Sequence, residues 1–329
     1  MKRKLYVHVG PIKTATSAIQ TYLRDVESDS IVYPKVGLGS DGSHHKLVYK
    51  FFGEHRQAGR LLRNESVDSL FGKIALEDGD GQKNILVSSE LLASESRDAG
   101  EFIRALAARI RVPPADVRIV LVCREHFARA ASWYNMRVRA PKHRNPEQRF
   151  SPDRFLDARA AEICYEPMVR RLKGTGFPVV ALEYHPADTV ALRFFALVGL
   201  SEIPQAVDRQ REGLSTKALI ATLATNLVTR SLEERQTLLA AFAGMSGARG
   251  PCGFIFGRAA AERAEVSFAR DRNFLKEEFG FAMVAPVMDG PLAEFELSRE
   301  EFQDISVVAR EFGSLGKKIL EVAGNYVRE

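Results

Sequence analysis

The sequence predicts an α/β protein, a parallel β-sheet flanked by helices and followed by a helical C-terminal lobe. Three observations carry this reading. Short runs rich in Val, Ile and Leu recur at 5–9 (LYVHV), 84–88 (NILVS), 117–123 (VRIVLVC) and 178–182 (PVVAL). Helical periodicity separates each run from the next, which is the order of a parallel sheet whose crossovers are helices. From residue 201 onward helix follows helix, for example at 216–229, 232–243 and 258–270, with no convincing strand.

The first run is ended by Gly10-Pro11, and a helical pattern then follows on Ala18, Ile19, Tyr22 and Leu23, so the N-terminus reads as strand, tight loop and helix. The organisation expected is a core over 1–200 and a helical lobe over 201–329 packed on it. Two segments break the pattern, 140–153 (APKHRNPEQRFSPD) and 247–257 (GARGPCGFIFG). Both are loop candidates, and long loops beside a rigid sheet often act as lids.

A chain of 329 residues that is 45% hydrophobic buries a large core, which excludes a disordered class. The net charge of +5 is spread over Lys and Arg interleaved with Asp and Glu. That balance favours an anionic small ligand over a nucleic-acid groove. Cys123, Cys164 and Cys252 are odd in number and lack metal-ligand spacing, so neither a disulfide framework nor a metal site is expected. The basic start Met1-Lys2-Arg3-Lys4 is followed by no apolar signal core, because His8 and Lys13 interrupt it. No uncharged apolar run reaches the roughly 18 residues of a membrane span. The expectation is a cytoplasmic protein without nucleic-acid partner or membrane span, with self-association into a homo-oligomer left open.

Between the first strand and helix stand Gly10-Pro11-Ile12-Lys13-Thr14-Ala15-Thr16-Ser17. A helix N-terminus offers unpaired N–H groups and the positive end of a dipole, so phosphate or sulfate oxygens are stabilised there. Lys13 adds a charge, and Thr14, Thr16 and Ser17 add hydroxyls. The loop differs from the nucleotide-triphosphate pattern G-x-x-x-x-G-K-[ST], since Lys13 comes early and the second Gly is missing. The plain alternative is an ordinary N-cap with a solvated lysine. Farther on, Arg124 closes a predicted strand and Ser132 follows it in the next helix, a pair able to converge on one phosphate. The alternative for that pair is an ion pair and a solvated serine. In open α/β sheets, ligands sit beyond the carboxyl ends of the strands, where both segments fall.

The stretch from His8 to Gln20 (HVGPIKTATSAIQ) resembles the 5′-phosphosulfate loop of bacterial sulfotransferases that use 3′-phosphoadenosine-5′-phosphosulfate (PAPS), and Arg124 to Ser132 has the R-x7-S spacing of their 3′-phosphate motif. Val87-Ser88-Ser89-Glu90-Leu91, and Asn273 with Leu275, are similar to segments of such enzymes. One departure is Ala15, where the family has Gly; a methyl is tolerable there if the residue has helical φ and ψ. Arg249-Gly250-Pro251-Cys252-Gly253 at best echoes the family's R-K-G-x-x-G loop.

The resemblance implies a P-loop-like sulfotransferase fold and sulfuryl transfer from PAPS, with PAP as product. Lys13 would neutralise the leaving oxygen, the loop Gly10 to Ser17 would hold the 5′-phosphate, and Arg124 with Ser132 would select the 3′-phosphate; no metal is required. The acceptor would be a hydroxyl or amine on a small molecule or carbohydrate; the basic loop residues Lys142, His143, Arg144 and Arg149 point to an acidic or sugar-containing substrate, with an ordinary solvated loop as the plain alternative. Glu90 is the first candidate for the base and His44 and His45 the second, with a dipole-favoured carboxylate and surface histidines as the plain alternatives. Trp133 and Tyr134 are expected in the core, with packing beside the adenine as the alternative role. Two rival readings remain: an ATP- and Mg2+-dependent small-molecule kinase, and a nucleotide-binding protein without turnover.

Overall fold

The computed structural model describes residues 3–54, 57, 64–77, 79, 81–140, 145–185, 190–200, 213–250, 254–286 and 295–328. In chain order its regular elements are β1 (Leu5–His8), α1 (Thr16–Asp25), β2 (Ile31–Val32), α2 (His45–Phe51), α3 (Val67–Glu77), β3 (Asn84–Ser88), α4 (Ala99–Arg109), β4 (Val117–Arg124) and α5 (His126–Arg139). There follow α6 (Pro152–Ile163), α7 (Glu166–Lys173), β5 (Val179–Tyr184), α8 (Val190–Val198), α9 (Thr216–Val228), α10 (Leu232–Ala243), α11 (Arg258–Phe279), α12 (Arg299–Arg310) and α13 (Gly313–Gly324). The five strands pair in the order β2-β3-β1-β4-β5, every neighbour parallel. The α/β class, the parallel sheet and the helical C-terminal region are those the sequence predicts.

The central strands are apolar because both their faces are buried. Leu5 and Val7 of β1 join one core with Phe71, Phe102, Ile103 and Leu172. Tyr6 joins the other, with Ile19, Leu23, Phe194 and Phe195. The edge strand β2 is absent from the sequence reading, since two residues carry no period. After β5 the described residues hold isolated bridges, Leu214 with Arg249 and Leu297 with Val327, but no named strand.

Two compact units emerge, one of Met1–Arg124, Tyr165–Gln210 and Phe274–Met283, the other of Glu125–Cys164, Arg211–Asn273 and Val284–Glu329. This division differs from a single boundary at 200. The chain leaves the sheet unit after β4 and returns at Tyr165, so α5 and α6 group with the C-terminal helices. In the second unit Trp133 and Tyr134 are core residues, 4% and 0% exposed. Its buried Arg235 donates to Asn226 Oδ1 (2.6 Å) and to the Val138 carbonyl (3.1 Å). Of the segment 140–153, residues 141–144 lie outside the described residues, 146–149 form a 3-10 turn and α6 begins at Pro152. No helix among the described residues is long and apolar enough to cross a membrane.

Strand register positions the site. His8, the last residue of β1, pairs with Ser88, the last of β3, and with Val120 of β4. From Val120, β4 runs on to Arg124. At ~3.3 Å per residue, Arg124 lies about 13 Å beyond the level of His8 and Ser88 along the strand direction.

Candidate active site

The loop from β1 to α1 is backbone-strained. Lys13 has φ 71° and Ala15 has φ 68° and ψ 9°, the left-handed region that glycine favours. For an L-residue that conformation costs roughly 1–2 kcal/mol. The sequence reading accepts a methyl at Ala15 if the residue is right-handed helical; it is left-handed instead. Thr14, fully buried, closes the turn by donating to the Pro11 carbonyl at 2.7 Å. Ala15 is the N-cap of α1 and offers no side-chain cap, and no acidic residue stands in the first turn. Ala18 N–H and Ile19 N–H donate to the Ala15 carbonyl at 3.1 and 3.2 Å, and no capping side chain supplies an oxygen to the first turn.

Glu90 comes to this helix end from the other side. It opens a 3-10 turn directly after β3, where Ser89 N–H donates to the His8 carbonyl at 2.9 Å and ties the turn to the end of β1. Thr16 Oγ1 donates to Glu90 Oε1 at 2.6 Å, and Gln20 Nε2, one turn along α1, donates to Oε2 at 3.2 Å. His45 Nε2 lies 3.1 Å from the same Oε2, while its Nδ1 is 2.8 Å from Ser89 Oγ. Burial pushes the Glu90 carboxyl up, but the hydrogen bond and charge of His45 and the Thr16 hydroxyl outweigh it and hold the pKa down at about 2. The carboxylate is ionised at neutral pH and only 14% exposed.

The paired histidines have different surroundings. His45 is partly open, 26% exposed. His44 is fully buried; its Nδ1 accepts from Ser88 N–H at 3.2 Å and its Nε2 donates to the Pro34 carbonyl at 2.8 Å. Burial lowers its pKa to about 4, against smaller upward pulls from those backbone bonds. One ring nitrogen thus anchors the start of α2 to the end of β3 and the other to the segment after β2.

Among the remaining sequence candidates, Ser17 is exposed, and Gly10 and Pro11 are buried in the loop. At the end of β4, the Tyr165 hydroxyl clamps the Arg124 main chain, accepting from its N–H at 2.8 Å and donating to its carbonyl at 2.7 Å. The Arg124 guanidinium lies 5.0 Å over the Tyr184 ring, and its Nε is buried without a hydrogen-bond partner among the described residues. Ser132 sits half-buried on α5 of the second unit. Leu275 is fully buried in the sheet unit's core. Lys142, His143, Arg144 and the Pro251–Gly253 part of the echoed loop lie outside the described residues, and Arg149 donates to the Asn226 carbonyl at 3.0 Å.

Sequence reasoning assigns no role to Gln20, Ser88 or His8. Gln20 Nε2 reaches Ser88 Oγ at 3.0 Å as well as Glu90, and His8 Nδ1 is 2.8 Å from the same hydroxyl. Two signals point to them: Thr16 and Gln20 stand four apart on one helix face, and His8 is a polar residue at the end of an otherwise apolar buried strand.

No model of a known protein family matches the sequence, and no curated protein matches it. Among solved structures, the chain is similar to a sulfotransferase from Alicyclobacillus acidocaldarius, at 16% identity and a TM-score of 0.38, over 74% of this chain and 99% of that one.

Proposed function

We propose that this chain is a sulfotransferase of P-loop-like type that moves a sulfuryl group from PAPS to a hydroxyl or amine of a small-molecule or carbohydrate acceptor in the cytoplasm. One observation carries the reading: the carboxylate of Glu90 meets the Lys13 loop, accepting a 2.6 Å hydrogen bond from Thr16, the first residue of α1. A group able to receive an acceptor's proton thus stands at the helix end suited to a phosphosulfate.

The residues present fit a polyanion. Strained backbone at Lys13 and Ala15 turns the loop, α1 lacks a side-chain cap, and Arg124 keeps a buried Nε without a hydrogen-bond partner among the described residues farther along the carboxyl edge of the sheet. PAPS, when bound, supplies the activated sulfuryl group. Lys13 stabilises negative charge developing on the leaving oxygen, and the first-turn N–H groups of α1 fix the 5′-phosphate. Thr14 and Thr16 direct their hydroxyl protons to Pro11 and Glu90, so the backbone carries more of the anion binding than the sequence reading assigns. The 3′-phosphate assignment to Arg124 and Ser132 rests on their spacing in sequence.

Glu90 accepts a hydrogen bond from the attacking hydroxyl or amine, and His45 holds the carboxylate in place. At a pKa of about 2 the carboxylate is a weak base. An anion seated beside it raises its proton affinity by like-charge repulsion, bringing it toward the range where it takes the acceptor's proton. The test is a thermal-shift comparison of PAP, PAPS, ATP and AMP, with transfer of labelled sulfate from PAPS measured with and without EDTA. A preference for PAP over AMP and turnover in EDTA support the proposal. Equal shifts for PAP and AMP, or strict Mg2+ dependence with ATP, favour the kinase; binding with no turnover on any acceptor marks a binding protein.

A further inference from the structure

β1 is buried throughout, and its last residue, His8, is a polar one that is 1% exposed. Ser88 holds its Nδ1 at 2.8 Å, and the Phe194 ring packs against the imidazole at a centroid distance of 4.8 Å. The other nitrogen, Nε2, is buried without a hydrogen-bond partner among the described residues. It faces the loop. A Cβ placed on Gly10 would lie 2.6 Å from Nε2 and 3.0 Å from Thr16 Cγ2. The imidazole therefore occupies the space a side chain at Gly10 would take, between the first residue of the loop and the first residue of α1. That close approach is a physical reason for glycine at this position.

A buried nitrogen left unpaired is destabilising, and native structures retain few of them. We propose that His8 is a further binding residue of this site, its Nε2–H donating a hydrogen bond to an anion oxygen seated in the loop. The inference rests on the proposed function and deepens it by naming a neutral donor beside the charged Lys13. Burial lowers the His8 pKa to about 4, against a weaker upward pull from Glu90, so at neutral pH the ring carries one proton. Where that proton sits depends on Ser88. Its Oγ accepts from Gln20 at 3.0 Å, and toward His8 Nδ1 it either donates its own proton or accepts the ring's. An anion in the loop selects the first arrangement, with Ser88 donating to Nδ1 and the ring proton on Nε2.

The experiment measures binding of PAP and of inorganic pyrophosphate to the full chain, to His8→Phe and to His8→Gln, with melting temperatures of each. His8→Phe is expected to bind both probes about 10- to 100-fold more weakly, the worth of a hydrogen bond to a charged group. His8→Gln, which keeps an N–H donor, is expected to recover part of the loss. Histidine 15N spectra of the wild type with PAP are expected to show Nε2 protonated, and they decide the matter where His8→Phe does not fold. Unchanged affinity in His8→Phe, with or without a lower melting temperature, makes His8 a strand-end structural residue and overturns the inference, as does a bare Nε2 in the bound state. His8-dependent binding of pyrophosphate without binding of PAP sinks the sulfotransferase reading and leaves His8 standing. Binding of neither probe by the wild type sinks both.

Discussion

The N-termini of α1 and α12 are built in opposite ways. At α12, Ser298 Oγ accepts from Glu301 N–H at 3.1 Å, and Glu301 Oε2 accepts from Ser298 N–H at 2.9 Å, so each residue satisfies the other's orphan donor. Glu300 and Glu301 put negative charge on the first turn. At α1 the cap residue is Ala15, left-handed and without a capping oxygen, and no first-turn acid is present. The carboxylate that does arrive, Glu90, comes from beyond β3 and bonds a side chain, Thr16. A helix that caps itself owes nothing to a ligand. A helix end on a strained loop with no side-chain cap is organised around something other than its own stability.

The sharpest test of this contrast is Glu90→Gln. It is expected to lower sulfuryl transfer by roughly 100- to 10,000-fold while PAP affinity stays close to wild type. Steady-state rates alongside PAP titration separate this from a carboxylate that merely closes the helix end, whose loss lowers binding and melting temperature together. Lys13→Ala comes next, with turnover down roughly 100- to 1,000-fold and melting temperature little changed. Turnover close to wild type in Lys13→Ala makes the loop a binding element alone.

Acid should weaken the α1 side of the comparison first. His8 and His44 have folded pKa values lowered to about 4, so between there and the ordinary histidine value the unfolded chain binds protons that the folded chain refuses. Their contribution is fully present above about pH 6.5 and is lost as pH falls toward 4, about 1–2 kcal/mol for each by pH 5. Glu90, lowered to about 2, adds a further loss between about pH 4.5 and 2. Urea denaturation across pH 7 to 5 measures the first effect; a flat profile there contradicts the buried neutral state of the two histidines.

Ser298→Ala is expected to lose about 1 kcal/mol of stability with no effect on transfer or on PAP binding. The smallest change is Ala15→Gly, which relieves the left-handed strain but adds freedom to the unfolded chain, for a net gain of about 0.5–1 kcal/mol by denaturant midpoint. A loss of stability there argues that the Ala15 methyl packs favourably enough to offset its backbone.

Much of the fold is legible in the amino-acid sequence by itself. Runs such as NILVS and VRIVLVC are strands because a parallel sheet buries both faces and needs apolar residues at every position, whichever strand lies alongside. The helices α9 and α10 lie where the sequence reading has helical stretches, opened by Ser215 and Ser231, each of which accepts a first-turn N–H. Lys13, Glu90 and His45 stand out as residue types in suggestive places. What tertiary structure alone decided is that Glu90 and His45 meet each other and the start of α1. Parallel pairing sets His8 level with Ser88, and that register brings Glu90 to Thr16 across 74 residues and His45 to Ser89 across 44. It also decided that His44 turns inward to Pro34 and Ser88 while its neighbour turns to Glu90. Local sequence encodes burial and helix ends because their partners lie within a few residues. Register, the left-handed turn at Ala15 and the His8 nitrogen that finds no partner among the described residues depend on which distant strand packs alongside, and the packing of the whole sheet sets that.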